Sequence, residues 1–293
     1  MKIGFSGHET FVCRQFWLKK GFDYIKNGNS FSREEAVVEL GVGRNMVSAI
    51  RFWLKGFDIL DKEHEGLTEL GSYLFRDGTG RDPFLEDTAS LWLLHYSIIK
   101  NEKVFIFNSF FNEFAKEKIE FTKEHLITFL KRKTEESDLR LFSTKTYESD
   151  ANVFIRTYLR SIDGKADIED ETSNLLTELN LITPFTFRDI NNKLVQWYKL
   201  NQTNREEVPV HLILFAIMDK YENSSSIAFN ELFEGVNAPG AIFSITESGL
   251  ENKLREAVEH WPTNLIYNST AGNRVLQIRK PLDKWSVLNE YYG

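Results

Sequence analysis

The chain reads as a mainly α protein with small β wings: an N-terminal winged helix-turn-helix, a central helical region, and a C-terminal region of winged-helix-like order. Three observations carry that expectation. Apolar residues recur at spacings of three and four through most of the chain. A capping signal, a glycine turn and a basic helix follow one another between Ser32 and Gly71. Short β-prone runs come as flanks of turns. Of 293 residues 42% are hydrophobic, enough to bury more than one core, which excludes a disordered or coiled-coil protein. Turn-rich stretches at Arg76 to Asp82 and at Asn201 to Pro209 divide the chain into 1–80, 81–201 and 202–293.

In FSREEAVVELGVGRN, Ser32 is expected to cap a helix, with Glu35 completing a capping box and Ala36, Val37 and Leu40 forming the apolar face. Gly41 permits the positive φ that ends it, so the turn is Gly41 to Gly43. The next helix, Arg44 to Lys55, turns Met46, Val47, Ile50 and Leu54 inward and leaves Arg44, Asn45, Ser48, Arg51 and Lys55 outside. That outer face carries three cations and no acid, the local sign a recognition helix needs against phosphates, with Asn45 and Ser48 near the end that reaches base edges. Phe57 to Leu60 is a β-prone run, Asp61 to Gly66 the wing tip, and Leu67 to Phe75 a return strand and helix capped by Thr68. A basic amphipathic helix is also an ordinary solvated surface, and winged helices also bind proteins.

Downstream, Leu91, Leu94, Tyr96, Ile98 and Ile99 crowd one stretch too densely for a surface helix. Phe105 to Lys118, Glu124 to Lys131 and Asn152 to Leu159 follow helical spacing. From Val210 an apolar helix leads to Phe229 to Glu234, a loop with Pro239 and Gly240, and an amphipathic segment from Thr246 to His260 on which Leu250, Leu254 and Val258 recur every four residues. Leu265 to Tyr267 and Val275 to Ile278 flank NSTAGN as a hairpin, giving the helix, helix, hairpin order of a second winged helix.

Cys13 is the one cysteine, so no intramolecular disulfide or cysteine-based zinc site can form. MKIGFSGHET lacks the apolar core of a signal peptide, and runs such as His211 to Met218 are too short to span a bilayer, so a cytoplasmic protein without membrane contact is expected. The net charge of -7 excludes a protein that coats nucleic acid over its whole surface, and any DNA contact has to be local. There is no P-loop, GxGxxG or HExxH.

GHETFVCRQFWLKKGFD (Gly7 to Asp23), LGVGRNMVSAIRFWL (Leu40 to Leu54) and RDPFLEDTASLWLLHY (Arg81 to Tyr96) resemble, in this order, motifs of the family catalogued as domain of unknown function 4007. The resemblance extends weakly through YNSTAGNRVLQI to LNEYY, with Phe84 where the family often has Tyr and Tyr96 where it often has Trp. It implies a DNA-binding component of bacterial DNA phosphorothioation and antiviral defence, working beside a cysteine desulfurase, an ATPase and a partner related to PAPS reductases. The family's SspB-type members are regarded as DNA nickases, so it also implies an endonuclease using Mg²⁺ or Mn²⁺.

Two groups are candidates for that chemistry. Asp82, Glu86 and Asp87 cluster as carboxylates that hold a divalent metal do, although acids at a helix start also cap it. His8 beside Glu9 offers a general base next to a carboxylate, with Arg14 to hold a phosphate, although GHETF also reads as an arm packed on the core by Phe11, Trp17 and Leu18. Neither pattern identifies metal ligands. A nickase and a non-catalytic adaptor that recruits the sulfur-transfer proteins are therefore both consistent with the residues.

Overall fold

The structure is a computed structural model describing residues 5–61, 63–137, 141–159, 174–270 and 272–293. Its first helix, α1 (Gln15–Lys26), buries Trp17, Leu18, Phe22 and Tyr24. A single turn, α2 (Ala36–Glu39), precedes α3 (Arg44–Gly56), which buries Val47, Ile50 and Leu54 as their spacing requires and leaves Met46 half-buried. The helix expected from Ser32 starts later than its capping signal. Phe31 is buried against Tyr24, ring centroids 5.2 Å apart, and the Ser30 and Ser32 hydroxyls bond each other at 2.9 Å, so the chain closes as turns before α2. Gly41 takes a φ of 58° in the turn to α3.

After α3 the expected wing strands shrink to one bridge, Leu60 to Leu67, closed by the Asp61 N–H on the Gly66 carbonyl at 2.7 Å. Thr68 then caps α4 (Glu69–Phe75), accepting the Gly71 N–H at 3.0 Å. Helix α5 (Thr88–Lys100) is buried from Ala89 through Ile99, which is why its apolar residues crowd on all sides. The helix expected over Phe105 to Lys118 forms over 105–117 but widens within: α6 (Phe105–Ser109) runs through a π-helical turn, Phe110–Phe114, into α7 (Ala115–Glu117). The wider turn brings Phe110, Phe111 and Phe114 inward together. They meet Phe154, whose ring lies 4.5 Å from that of Phe110, on a later helix.

β1 (Glu120–Phe121), α8 (Lys123–Glu136) and α9 (Thr144–Tyr158) follow, the last capped by Ser143 and longer than its apolar stretch indicated. The region expected to be helical throughout also contains a sheet. β2 (Ile182–Arg188) and β3 (Leu194–Leu200) pair antiparallel, and β1 adds to β3, giving the order β1-β3-β2. Asp189 holds the turn by accepting the Asn191 and Lys193 N–H groups at 2.8 and 2.9 Å, while Asn192 takes a φ of 63°.

Two compact units divide the chain, Met1–Asn201 and Gln202–Gly293. The second contains α10 (Val210–Lys220), β4 (Ser226–Ala228), α11 (Phe229–Glu234), α12 (Pro239–Ile242), α13 (Glu247–His260), β5 (Leu265–Thr270), β6 (Asn273–Ile278) and α14 (Lys284–Tyr292). The expected hairpin forms as β5 and β6, and β4 joins it in the antiparallel order β4-β6-β5. On α13, Leu250 and Leu254 are buried, but Ala257 takes the inner place expected of Val258. Helices predominate over a small amount of β structure, as the sequence indicated, and that β structure forms two three-stranded sheets. No helix among the described residues is long and apolar enough to cross a membrane.

Candidate functional site

The N-terminal motif lies across α3 and meets the segment before α5. The Trp53 indole donates to the Phe11 carbonyl at 3.1 Å, and the Gln15 side-chain amide donates to the Phe84 carbonyl at 3.2 Å. Gly7 lets the arm cross close over Phe52: a Cβ would stand 2.4 Å from Phe52 Cδ2, so a larger residue would push the ring aside.

His8 is buried. Its Nδ1 accepts the Thr10 N–H at 3.1 Å, which leaves the proton of a neutral ring on Nε2, 3.3 Å from Asp150 Oδ1 and off the line of a hydrogen bond. Asp150, on α9, also receives the Ser6 N–H on both oxygens at 3.2 Å. Ser6, Glu9 and Thr10 all have φ between 49° and 68°, so the arm is bent tightly around this anchor. Glu9 is exposed and is not part of the pair. Arg14, half-buried at the start of α1, sets its guanidinium 5.5 Å from the Trp17 ring centroid and makes a backbone bridge with Asn174.

On the outer face of α3, Arg44, Asn45, Ser48 and Arg51 are exposed and Lys55 is half-buried. The face is less purely basic than its helix sequence. Glu65, from the turn that closes the Leu60–Leu67 bridge, receives Arg51 Nε at 2.6 Å and Lys55 Nζ at 3.0 Å on the same oxygen, Oε1. Partial burial works to raise the Glu65 pKa, but the hydrogen bonds and charges of Arg51 and Lys55 outweigh it and hold the carboxyl below its ordinary range. Beside this ion pair lies a cleft of about 370 Å³, lined by Gly7, Phe31, Val47, Ser48, Arg51, Phe52 and Lys55.

The acids before α5 are engaged by the backbone. Asp82 accepts the Glu86 and Asp87 N–H groups, each at 3.0 Å, and Asp87 caps α5 by accepting the Ala89 N–H at 2.8 Å, while Glu86 is exposed. Among the described residues no three His, Cys, Asp or Glu side chains gather as metal ligands do. Helix α13 of the second unit has the opposite charge character to α3. It carries Glu247, Glu251, Glu256 and Glu259 against Lys253 and Arg255, and Arg274 of β6 pairs with Glu247 at 2.6 Å.

Sequence reasoning missed Asp150, Glu65, Phe31 and Phe52. Only Glu65 left a signal, as an acid in the turn right after a basic helix.

A family model described as protein of unknown function (DUF4007) matches residues 5–292. Two solved structures resemble the chain over 99% of its length and 88% of theirs. One is described as a magnesium ion-bound SspB crystal structure, with TM-score 0.83 and 26% sequence identity. The other is described as an SspB crystal structure, with TM-score 0.82 and 25% identity. No curated protein matches the chain.

Proposed function

The chain belongs to the DUF4007 family, and from that premise we propose that it is a DNA-binding component of a bacterial DNA phosphorothioation system, used in antiviral defence. The likeness to SspB over nearly the whole chain supports placing it with the SspB-type members. The observation that carries DNA binding is the convergence of Arg51 and Lys55 on one anionic oxygen, on a helix that contains no acid of its own. In this reading α2, the turn at Gly41, α3, the bridged hairpin and α4 form a winged helix-turn-helix with a reduced wing. Arg44, Arg51 and Lys55 meet phosphates, while Asn45 and Ser48 face base edges. The helix order of the second unit also suits a winged helix, but the glutamates of α13 repel a phosphate backbone, so DNA contact is assigned to α3.

Reversing both cations, Arg51→Glu with Lys55→Glu, tests the reading by duplex retention at increasing salt. The variant is expected to lose binding and to flatten the slope of log affinity against log salt by about 2 units, one for each lost phosphate contact. Unchanged, salt-sensitive retention would sink the assignment.

The proposed activity is nicking of the DNA backbone, with His8, Glu9, Asp82, Glu86 and Asp87 as the residues to substitute, Arg14 as a further phosphate contact, and Mg²⁺ or Mn²⁺ as the metal to vary. The magnesium-bound SspB structure supports trying the metal. A second reading, an adaptor that recruits the cysteine desulfurase, the ATPase and the PAPS-reductase-like protein, is favoured by the engagement of Asp82 and Asp87 with backbone amides. A supercoiled-plasmid assay separates the two. Relaxed circles that form only with metal support the nickase, and intact supercoils with retained binding support the adaptor.

A further inference from the structure

The cleft beside α3 has walls that contact with a duplex backbone does not require. Phe31 and Phe52 line it together with Ser48, Arg51 and Lys55, and its volume of about 370 Å³ falls within the roughly 300–1,000 Å³ of small-ligand sites. Duplex phosphates need only cations on an accessible face. An aromatic recess beside a pair of cations suits instead a base together with its phosphate, because every base offers a π-face for stacking.

The ion pair points to the same ligand independently. A guanidinium and an ammonium hold one carboxylate oxygen, Glu65 Oε1, in the way they would hold a phosphate oxygen. This pair is partly solvent-exposed, and such pairs are weak enough for a strand phosphate to displace the carboxylate.

We infer that the cleft binds one unstacked nucleotide of a DNA strand, its base against Phe31 and Phe52 and its phosphate replacing the Glu65 carboxylate on Arg51 and Lys55. The inference rests on the DNA-binding reading above and narrows it to a single-stranded or extruded nucleotide. Gly7 maintains the recess by letting the arm pass over the Phe52 ring. Glu65 is the competing anion that occupies the cation pair until the strand arrives.

The test uses the full chain with a short single-stranded oligodeoxynucleotide carrying one 2-aminopurine, a matched duplex, and the free 2-aminopurine deoxynucleoside monophosphate. The single strand is expected to bind with quenched fluorescence, as a base stacked on an aromatic ring is quenched. Phe52→Leu is expected to weaken it about tenfold, the order of one lost base–aromatic stack, while Phe52→Tyr keeps the affinity. Glu65→Gln is expected to tighten single-strand binding several-fold. Circular dichroism and a thermal melt establish that each variant is folded, and the Tyr and Gln variants decide the matter should the Leu variant fail to fold.

Unchanged single-strand affinity and quenching in both folded Phe52→Leu and Glu65→Gln overturns the inference. Equal affinity for the free monophosphate overturns the assignment to a strand. If Arg51→Glu with Lys55→Glu abolishes duplex and single-strand binding while the Phe52 and Glu65 variants change neither, the cleft inference falls and the DNA-binding reading stands. If the double reversal changes neither, the DNA-binding reading falls as well.

Discussion

Glu65 couples the turn after α3 to the basic face of that helix, and its protonation decides whether the coupling exists. Because Arg51 and Lys55 hold its carboxyl below the ordinary value of 4.5, the folded state favours the ionised form. A depressed carboxyl contributes stability that is present above its unfolded pKa and is lost as the pH falls through the lower folded value. Wild type is therefore expected to exceed Glu65→Gln in stability near neutral pH, and the gap is expected to close as the pH drops below 4.5. Solvent screening keeps the gap under about 1 kcal/mol, so paired urea melts at several pH values are the measurement. A gap that widens in acid contradicts the assignment. The same substitution leaves the two cations without this partner and is expected to strengthen DNA binding, so stability and binding should move in opposite directions.

Among the elements, α9 adds a distant anchor to the N-terminal arm, beyond the arm's own turn hydrogen bonds and its bond to Trp53 of α3. The Asp150 carboxylate receives the Ser6 N–H and stands next to buried His8, so Asp150→Ala takes the acceptor from an arm N–H and the carboxylate from beside the buried His8 ring. The expected loss is about 1–2 kcal/mol by chemical denaturation. A second readout shows where the loss acts. Limited proteolysis should cut within residues 5–11 much faster in the variant, whereas a uniform rise across the chain would point to general destabilisation instead. Since the arm forms part of the cleft through Gly7, losing the anchor should also weaken nucleotide binding without removing any cation. Helix α5 shows the opposite relation between acids and an element. Asp82 and Asp87 complete the backbone hydrogen bonds at its start, which is what a helix beginning inside a core requires.

For the molecule as a whole, the division at Asn201 gives the second unit its own apolar centre. Helix α10 buries Val210 and Leu212 through Met218, and Leu250, Leu254, Leu265 and Leu276 belong to the same unit's core. Residues 202–293 expressed alone are expected to unfold in one cooperative thermal transition. A non-cooperative melt would mean that this core depends on the first unit. The net charge of -7 acts at the same scale. A protein that is acidic overall binds DNA through a limited face, so retention should depend on few residues and its salt slope should be set by those few phosphate contacts, about one unit for each.

Periodicity was enough to indicate the mainly helical class, the buried side of α3, the Thr68 cap, the Gly41 turn and the β5–β6 hairpin. Each of these depends on neighbours within about one helical turn or across one tight turn, so local sequence contains the cause. The three motifs also identified the family, because their residue types and order survive in the chain itself. The β2–β3 hairpin lies in a region expected to be helical throughout and was not read from the sequence. The cleft depended on folding. Glu65 meets Arg51 from 14 residues away, and Ser6 meets Asp150 from 144, pairings that no period encodes. Phe31 and Phe52 are ordinary apolar residues in the sequence and become walls of one recess only when the arm crosses α3. Burial of Phe31 likewise overrode the Ser32 capping signal, because enclosing an aromatic ring outweighs the roughly 1 kcal/mol of a helix cap.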